Sequence, residues 1–270
     1  MADVMVKHDG LGFRCRLDGR EGAPWLVFSN SLLTSLAMWD AQVAALRGSY
    51  RILRYDQRGH GGTDVPPASA SIEQLAADAA VLLEHFGVER ATFVGISMGA
   101  ATTLCLAGRR NGRVARAVVA DGQAKAPPSA RAAWDGRIAL ARSDGMAALA
   151  EATVRRWFRP TFVAAGPPVL ASVRSMITAT PPDGFVACAR AWQCYDLSDV
   201  LPRIAIPVLL LAGADDGAVP AAMRDMQPRI PGAQFREVAE AGHLPNLEQP
   251  EAFLTAITEF MIPARRSRRV

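Results

Sequence analysis

The sequence is short of the residues on which metal-bound and disulfide-stapled folds depend. It has four cysteines, Cys15, Cys105, Cys188 and Cys194. They form no C-x-x-C pair and lie near no histidine cluster, so structural zinc is not expected, and reduced thiols in a cytoplasmic protein are. No apolar run reaches the ~20 residues that span a bilayer. The first residues, Met1 to His8, lack the apolar core and cleavage pattern of a secretory leader, so none is expected. Internal repeats and low-complexity tracts are also missing. Charge is nearly balanced: formal net charge is +4, and Arg265, Arg266, Arg268 and Arg269 account for it. Residues 265–270 therefore read as a solvated basic tail, and neither nucleic acid nor a membrane is an expected partner.

What is present is apolar mass and alternation. Of the 270 residues 50% are hydrophobic, enough to bury a core without disulfides, metal or cofactor. Short β-rich runs alternate with helical patterns, the signature of a mostly parallel sheet covered by helices. Trp25–Phe28, Tyr50–Tyr55, Ala91–Ile96, Val114–Ala120, Val208–Ala212 and Gln234–Val238 read as strands. Helices are expected near Ala37–Leu46, over Ser71–Phe86 with Ser71 as cap, over Met98–Ala107 and over Pro250–Met261. From 126 to 195 the pattern is helical only, with breaks expected at Gly136, Gly145, Pro160, Pro167-Pro168 and Pro181-Pro182. The reading is an α/β core from 1–125 and 196–264, interrupted by a helical lid over 126–195.

Three local patterns carry chemistry. Gly95-Ile96-Ser97-Met98-Gly99 matches G-x-S-x-G between a strand and a helix, where a nucleophile elbow has to lie. The glycines allow a sharp turn, and the helix N-terminus behind the serine favours a developing oxyanion. A serine needs a base, and four histidines are available. His8 lies in the N-terminal segment, His60 in the loop Arg58-Gly59-His60-Gly61-Gly62, and His85 in a helix. His243 follows the last strand, where the base falls in the order serine, acid, histidine. The acid belongs after the preceding strand, where Asp215 and Asp216 compete. Asp216 fits the G-x-x-D-x-x-x-P spacing from Gly213 to Pro220 and is preferred, with Asp215 the alternative.

Tyr55-Asp56-Gln57-Arg58-Gly59-His60-Gly61, the serine motif, Asp216 and Ala241-Gly242-His243-Leu244 together resemble the α/β-hydrolase superfamily across nearly the whole chain. More narrowly, the chain resembles the 3-oxoadipate enol-lactonases. The segments that carry this likeness are Phe28-Ser29-Asn30-Ser31-Leu32-Leu33-Thr34, Arg156-Trp157-Phe158, Asp183-Gly184-Phe185 and the run from His243 to Pro250. The resemblance implies a cofactor-free serine hydrolase acting through an acyl-enzyme on a small ester or lactone. It also implies an oxyanion hole from the backbone N–H groups of Leu32 and Met98. Leu33 stands where that family's loop carries glycine, which adds bulk beside the site. Leu33, Trp134 and Trp192 are the expected substrate contacts. An anionic enol-lactone would need positive charge, and 126–196 holds eight arginines against five acids. A carboxylesterase, another lactonase, a carbon–carbon bond hydrolase or a perhydrolase would use the same triad, so the sequence leaves the substrate open.

Overall fold

The computed structural model describes residues 3–109 and 112–262, so the basic tail lies outside the described residues. Eight strands form one sheet in the order β1-β2-β4-β3-β5-β6-β7-β8. They are β1 (Val4–His8), β2 (Leu11–Gly19), β3 (Trp25–Ser29), β4 (Arg51–Tyr55), β5 (Ala91–Ile96), β6 (Val114–Ala120), β7 (Val208–Gly213) and β8 (Gln234–Val238). Strand β2 runs antiparallel to both β1 and β4, while every pairing from β4 across to β8 is parallel. Strands covered on both faces need apolar side chains on both faces, which is why β7 is buried at every position.

The β1–β2 hairpin was not among the expected strands. Its turn is Asp9-Gly10, both at positive φ (52° and 74°), the geometry that lets a two-residue turn follow the strand twist. The helices flanking the sheet are α1 (Asp40–Leu46), α2 (Ile72–His85) and α3 (Met98–Gly108). Helix α2 opens on a capping box: Ser71 Oγ accepts from the Gln74 N–H, and Gln74 reaches back to the Ser71 N–H. Its Leu75, Ala79, Leu82 and Leu83 are buried. Helix α3 is buried along its whole length, packed against β3, β5, β6 and α2.

Between β6 and β7 lie five helices: α4 (Ala130–Ser143), α5 (Gly145–Trp157), α6 (Pro160–Ala165), α7 (Pro168–Ala179) and α8 (Pro182–Ala191). The prolines open helices as expected, because proline fits a first helical turn whose N–H has no partner. Gly136 does not break α4, which runs through it; an exposed glycine costs a helix only about 1 kcal/mol relative to alanine. The two ends of this insertion pair antiparallel, with Ala126 N–H on Tyr195 O at 2.9 Å and Leu197 N–H on Ala124 O at 2.7 Å. The chain then completes the sheet with β7 and β8, among the helices α9 (Val219–Met226), α10 (Pro245–Glu248) and α11 (Pro250–Met261). Cys15, Cys105 and Cys188 are buried free thiols and Cys194 is exposed. Among the described residues no helix is long and apolar enough to cross a membrane.

Candidate active site

Three loops at the C-terminal ends of parallel strands meet at one point. Ser97 stands between β5 and α3 with φ 54° and ψ −110°, a backbone that L residues avoid unless the surroundings impose it. Here they do. A Cβ on Gly95 would strike the Gly99 carbonyl, and one on Gly99 would strike Ser29. Only glycine at both places lets the elbow close this tightly.

His243 lies after β8 and Asp216 after β7. The imidazole bridges them: Nε2 is 2.9 Å from Ser97 Oγ, and Nδ1 is 2.7 Å from Asp216 Oδ2. The His243 and Asp216 side chains are 16% and 13% exposed, low enough to strengthen the pair and open enough to admit a substrate. Asp215, the competing acid, is half exposed and lies 3.8 Å from Arg159 instead. His60 is fully buried with Nδ1 on Arg58 O, and burial lowers its pKa to about 4. It is a neutral packing residue remote from the elbow's hydrogen bonds.

The loop after β3 is tied to the elbow through Asn30. Its carbonyl accepts from the Gly99 N–H at 2.9 Å and from Gln57 Nε2 at 2.7 Å, while its side chain bonds Trp39 Nε1 and the Tyr55 carbonyl. Neither the Leu32 N–H nor the Met98 N–H donates to any described residue, which leaves two backbone donors free. Leu33 adopts φ 65°, the left-handed backbone that glycine would take, so the loop keeps that turn without the glycine. Its side chain does not border the site. It packs in the core at 1% exposure, a correction to its expected role as a substrate contact.

A cavity of about 270 Å³ opens onto Ser97, His243 and Asp216. Leu32 and Asp121 lie in its core-side wall, and Trp134, Arg137, Arg156 and Trp192 come from the insertion. Arg137 stacks on the Trp134 ring at 4.3 Å, and Trp192 packs edge-on against Tyr195. Neither Arg137 nor Arg156 makes an ion pair or hydrogen bond with a described residue. Burial in the concave wall, then repulsion from Arg137, lowers the Arg156 pKa to about 10, against attraction from Asp216. Burial likewise lowers that of Arg137. Both stay cationic at neutral pH.

Sequence reasoning gave no role to Asp121 or Arg137, and none of their own to Arg156 and Glu248, which it met only within segments that carry the family resemblance. Asp121 follows β6, is 2% exposed and accepts from the Gly213 N–H at 2.7 Å. Burial and the charge of Asp216 push its pKa well above the usual carboxylate range. Glu248 takes the Gly242 N–H at 2.8 Å and Arg159 Nε at 3.1 Å, and the His243 N–H donates to Trp157 O at 2.7 Å. The end of α5 thereby grips the histidine loop.

The sequence pattern of the alpha/beta hydrolase fold family matches residues 24–250. The chain is 36% identical over 243 residues to 3-oxoadipate enol-lactonase 2 of Acinetobacter baylyi, covering 90% of each protein. The crystal structure of an enol-lactonase from Burkholderia xenovorans superimposes with a TM-score of 0.90 at 36% identity, over 95% of this chain and 99% of that one. A thermophilic esterase from Thermogutta terrifontis gives 0.87 at 30% identity, over 96% and 98%.

Proposed function

The chain belongs to the alpha/beta hydrolase fold family, and from that premise we propose that it hydrolyses a small ester or lactone through a Ser97–His243–Asp216 triad, without a cofactor. One observation carries the reading: a single imidazole spans Ser97 Oγ and the Asp216 carboxylate at the mouth of a closed-in cavity. His243 takes the proton as Ser97 attacks the carbonyl carbon. Asp216 holds the imidazole with Nδ1 protonated and stabilises the cation that forms. The unpartnered N–H groups of Leu32 and Met98 receive the oxyanion; a donor of this kind is worth about 3 kcal/mol. His243 returns the proton to the leaving oxygen, then draws one from water, which attacks the acyl-enzyme and frees Ser97. In a lactone the leaving alcohol stays tethered to the acyl group, so one product departs after deacylation.

The segment 126–195 acts as the lid over the core of 1–125 and 196–264, and it carries the substrate side of the reading. Trp134 and Trp192 give the cavity apolar walls, while Arg137 and Arg156 face it without an ion pair among the described residues. An anionic lactone such as 3-oxoadipate enol-lactone supplies the missing charge. This agrees with the enol-lactonases among the similar proteins. The test is hydrolysis of that lactone, followed by the fall in its ultraviolet absorbance. Turnover by the wild type, and a loss on the order of 10⁶-fold in Ser97→Ala, is the expected result. A folded wild type that cleaves 4-nitrophenyl acetate but not the enol-lactone would keep the triad and refute the substrate.

A further inference from the structure

The buried carboxyl of Asp121 has no part in the proton transfers above, yet it lies against them. It leaves β6 at φ 43°, a conformation aspartate tolerates at a single position, and its N–H donates to Leu211 O at 3.0 Å. Oδ1 accepts from the Gly213 N–H, the residue that opens the Asp216 turn; the Asp216 N–H in turn donates to Gly213 O at 3.1 Å. Oδ2 is shielded from water and receives no hydrogen bond from a donor among the described residues. Asp216 lines the same cavity, and the two side chains lie close enough to interact.

The titratable and charged groups on the same cavity are Asp216 after β7, His243 after β8, and Arg137, Arg156 and Tyr195 from the insertion. None of the cations forms an ion pair with Asp121. Two carboxyl groups bond each other only when one of them carries a proton. Asp216 accepts from His243 Nδ1 and faces the Arg156 charge. Asp121 has no cation beside it. Its oxygens meet one backbone N–H and one carboxylate, in a setting that would leave a charge there uncompensated.

Building on the triad reading, we propose that Asp121 is a positioning residue whose carboxylic O–H donates to the Asp216 carboxylate, holding it in register with His243. The proton stays on Asp121 through the cycle. Asp216 keeps one full negative charge for the imidazolium, and its second oxygen is occupied instead of free to turn away. A carboxyl at this place thus works as an amide would, with one acceptor for Gly213 and one donor for Asp216.

That equivalence supplies the experiment, with 4-nitrophenyl acetate as substrate. Asp121→Asn keeps both hydrogen bonds and should leave kcat within about threefold of wild type. Asp121→Ala removes both and should lower kcat about 10–100-fold with KM nearly unchanged, the usual scale for a partner that orients a catalytic group. Infrared difference spectra at neutral pH should show a protonated-carboxyl band in the wild type that is absent from Asp121→Asn. A loss beyond 100-fold in the Asn variant would mean that an ionised Asp121 is needed, and would overturn the proposal. So would full activity in the Ala variant, or the absence of the band from the wild type. Should Asp121→Ala not fold, the Asn variant and the spectrum decide. Ester turnover that persists in Ser97→Ala would instead sink the triad reading, a result the infrared band does not depend on.

Discussion

The sheet core and the helical insertion treat charge in opposite ways. In the core, a buried arginine always meets a carboxylate. Arg58 is held by both oxygens of Asp78 at 2.7 Å, with side-chain exposures of 4% and 3%. Arg54 is bound to Asp18 and to the Leu36 carbonyl. In the insertion the outward-facing Arg174 pairs with Glu151, but the two arginines that face the cavity form no ion pair among the described residues. Desolvating a charge without compensation is costly, so an unpaired cation in a wall marks a place where the partner arrives from outside. The core is complete by itself. Under the proposed function, the insertion is completed by a ligand.

The sharpest way to break that contrast is to make the core incomplete. Asp78→Ala strands Arg58 among apolar residues, with Asp9 at 3.4 Å as its remaining acid. Removing one partner of a buried pair costs on the order of 3–5 kcal/mol. Urea unfolding should show that loss, and the folded fraction should keep its selectivity among esters. A change below about 1 kcal/mol would mean that the core's charges are no more committed than those of the lid.

The same contrast explains what could be read before the structure was known. Strands β3 to β7 were legible because parallel, doubly covered strands are largely apolar runs, and the part-exposed edge strand β8 because strand–helix alternation resumes after the insertion. The β1–β2 hairpin was not, since Lys7, Arg14 and Arg16 dilute its pattern and Val4 and Met5 are exposed. Its Asp9-Gly10 turn was the signal available. Ser97, Asp216 and His243 could be placed because each sits in a local motif whose position along the strand order is constrained. Asp121 has no such motif, and the run that holds Glu248 says nothing of what that side chain does. Their roles come from approach across the fold, as with Asp121 and Gly213, 92 positions apart. Arg137 and Arg156 were two among eight arginines, and no spacing told inward from outward.

The next effect is smaller and falls on selectivity alone. Arg156→Gln removes a charge that forms no ion pair among the described residues, so thermal stability should move by less than about 0.5 kcal/mol. An interaction with a charged ligand group contributes about 1.5–3 kcal/mol. The KM for a carboxylate-bearing ester should therefore rise about 10–100-fold, while its neutral methyl ester changes little. Equal losses on both esters would place Arg156 in packing and leave the anion reading without its cation.

The smallest expected effect lies where core and site meet, at Leu33. Its side chain belongs to the core at 1% exposure, and its backbone, at φ 65°, belongs to the loop that carries the free Leu32 N–H. Truncation to alanine or glycine loses the same kind of buried contact, a cost of about 2–5 kcal/mol for the alanine variant. The two variants differ in what remains. Alanine keeps the left-handed strain of about 1–2 kcal/mol, whereas glycine relieves it and gives back about 0.4–1 kcal/mol through the freer unfolded chain. Relief of strain outweighs that entropic loss, so Leu33→Gly should be the more stable of the pair, by up to about 1.6 kcal/mol, reversing the order found at ordinary core positions. Denaturant midpoints of the two variants decide it. If alanine proves the more stable, the loop has relaxed out of its left-handed turn, and the free N–H of Leu32 is no longer held where an oxyanion would need it.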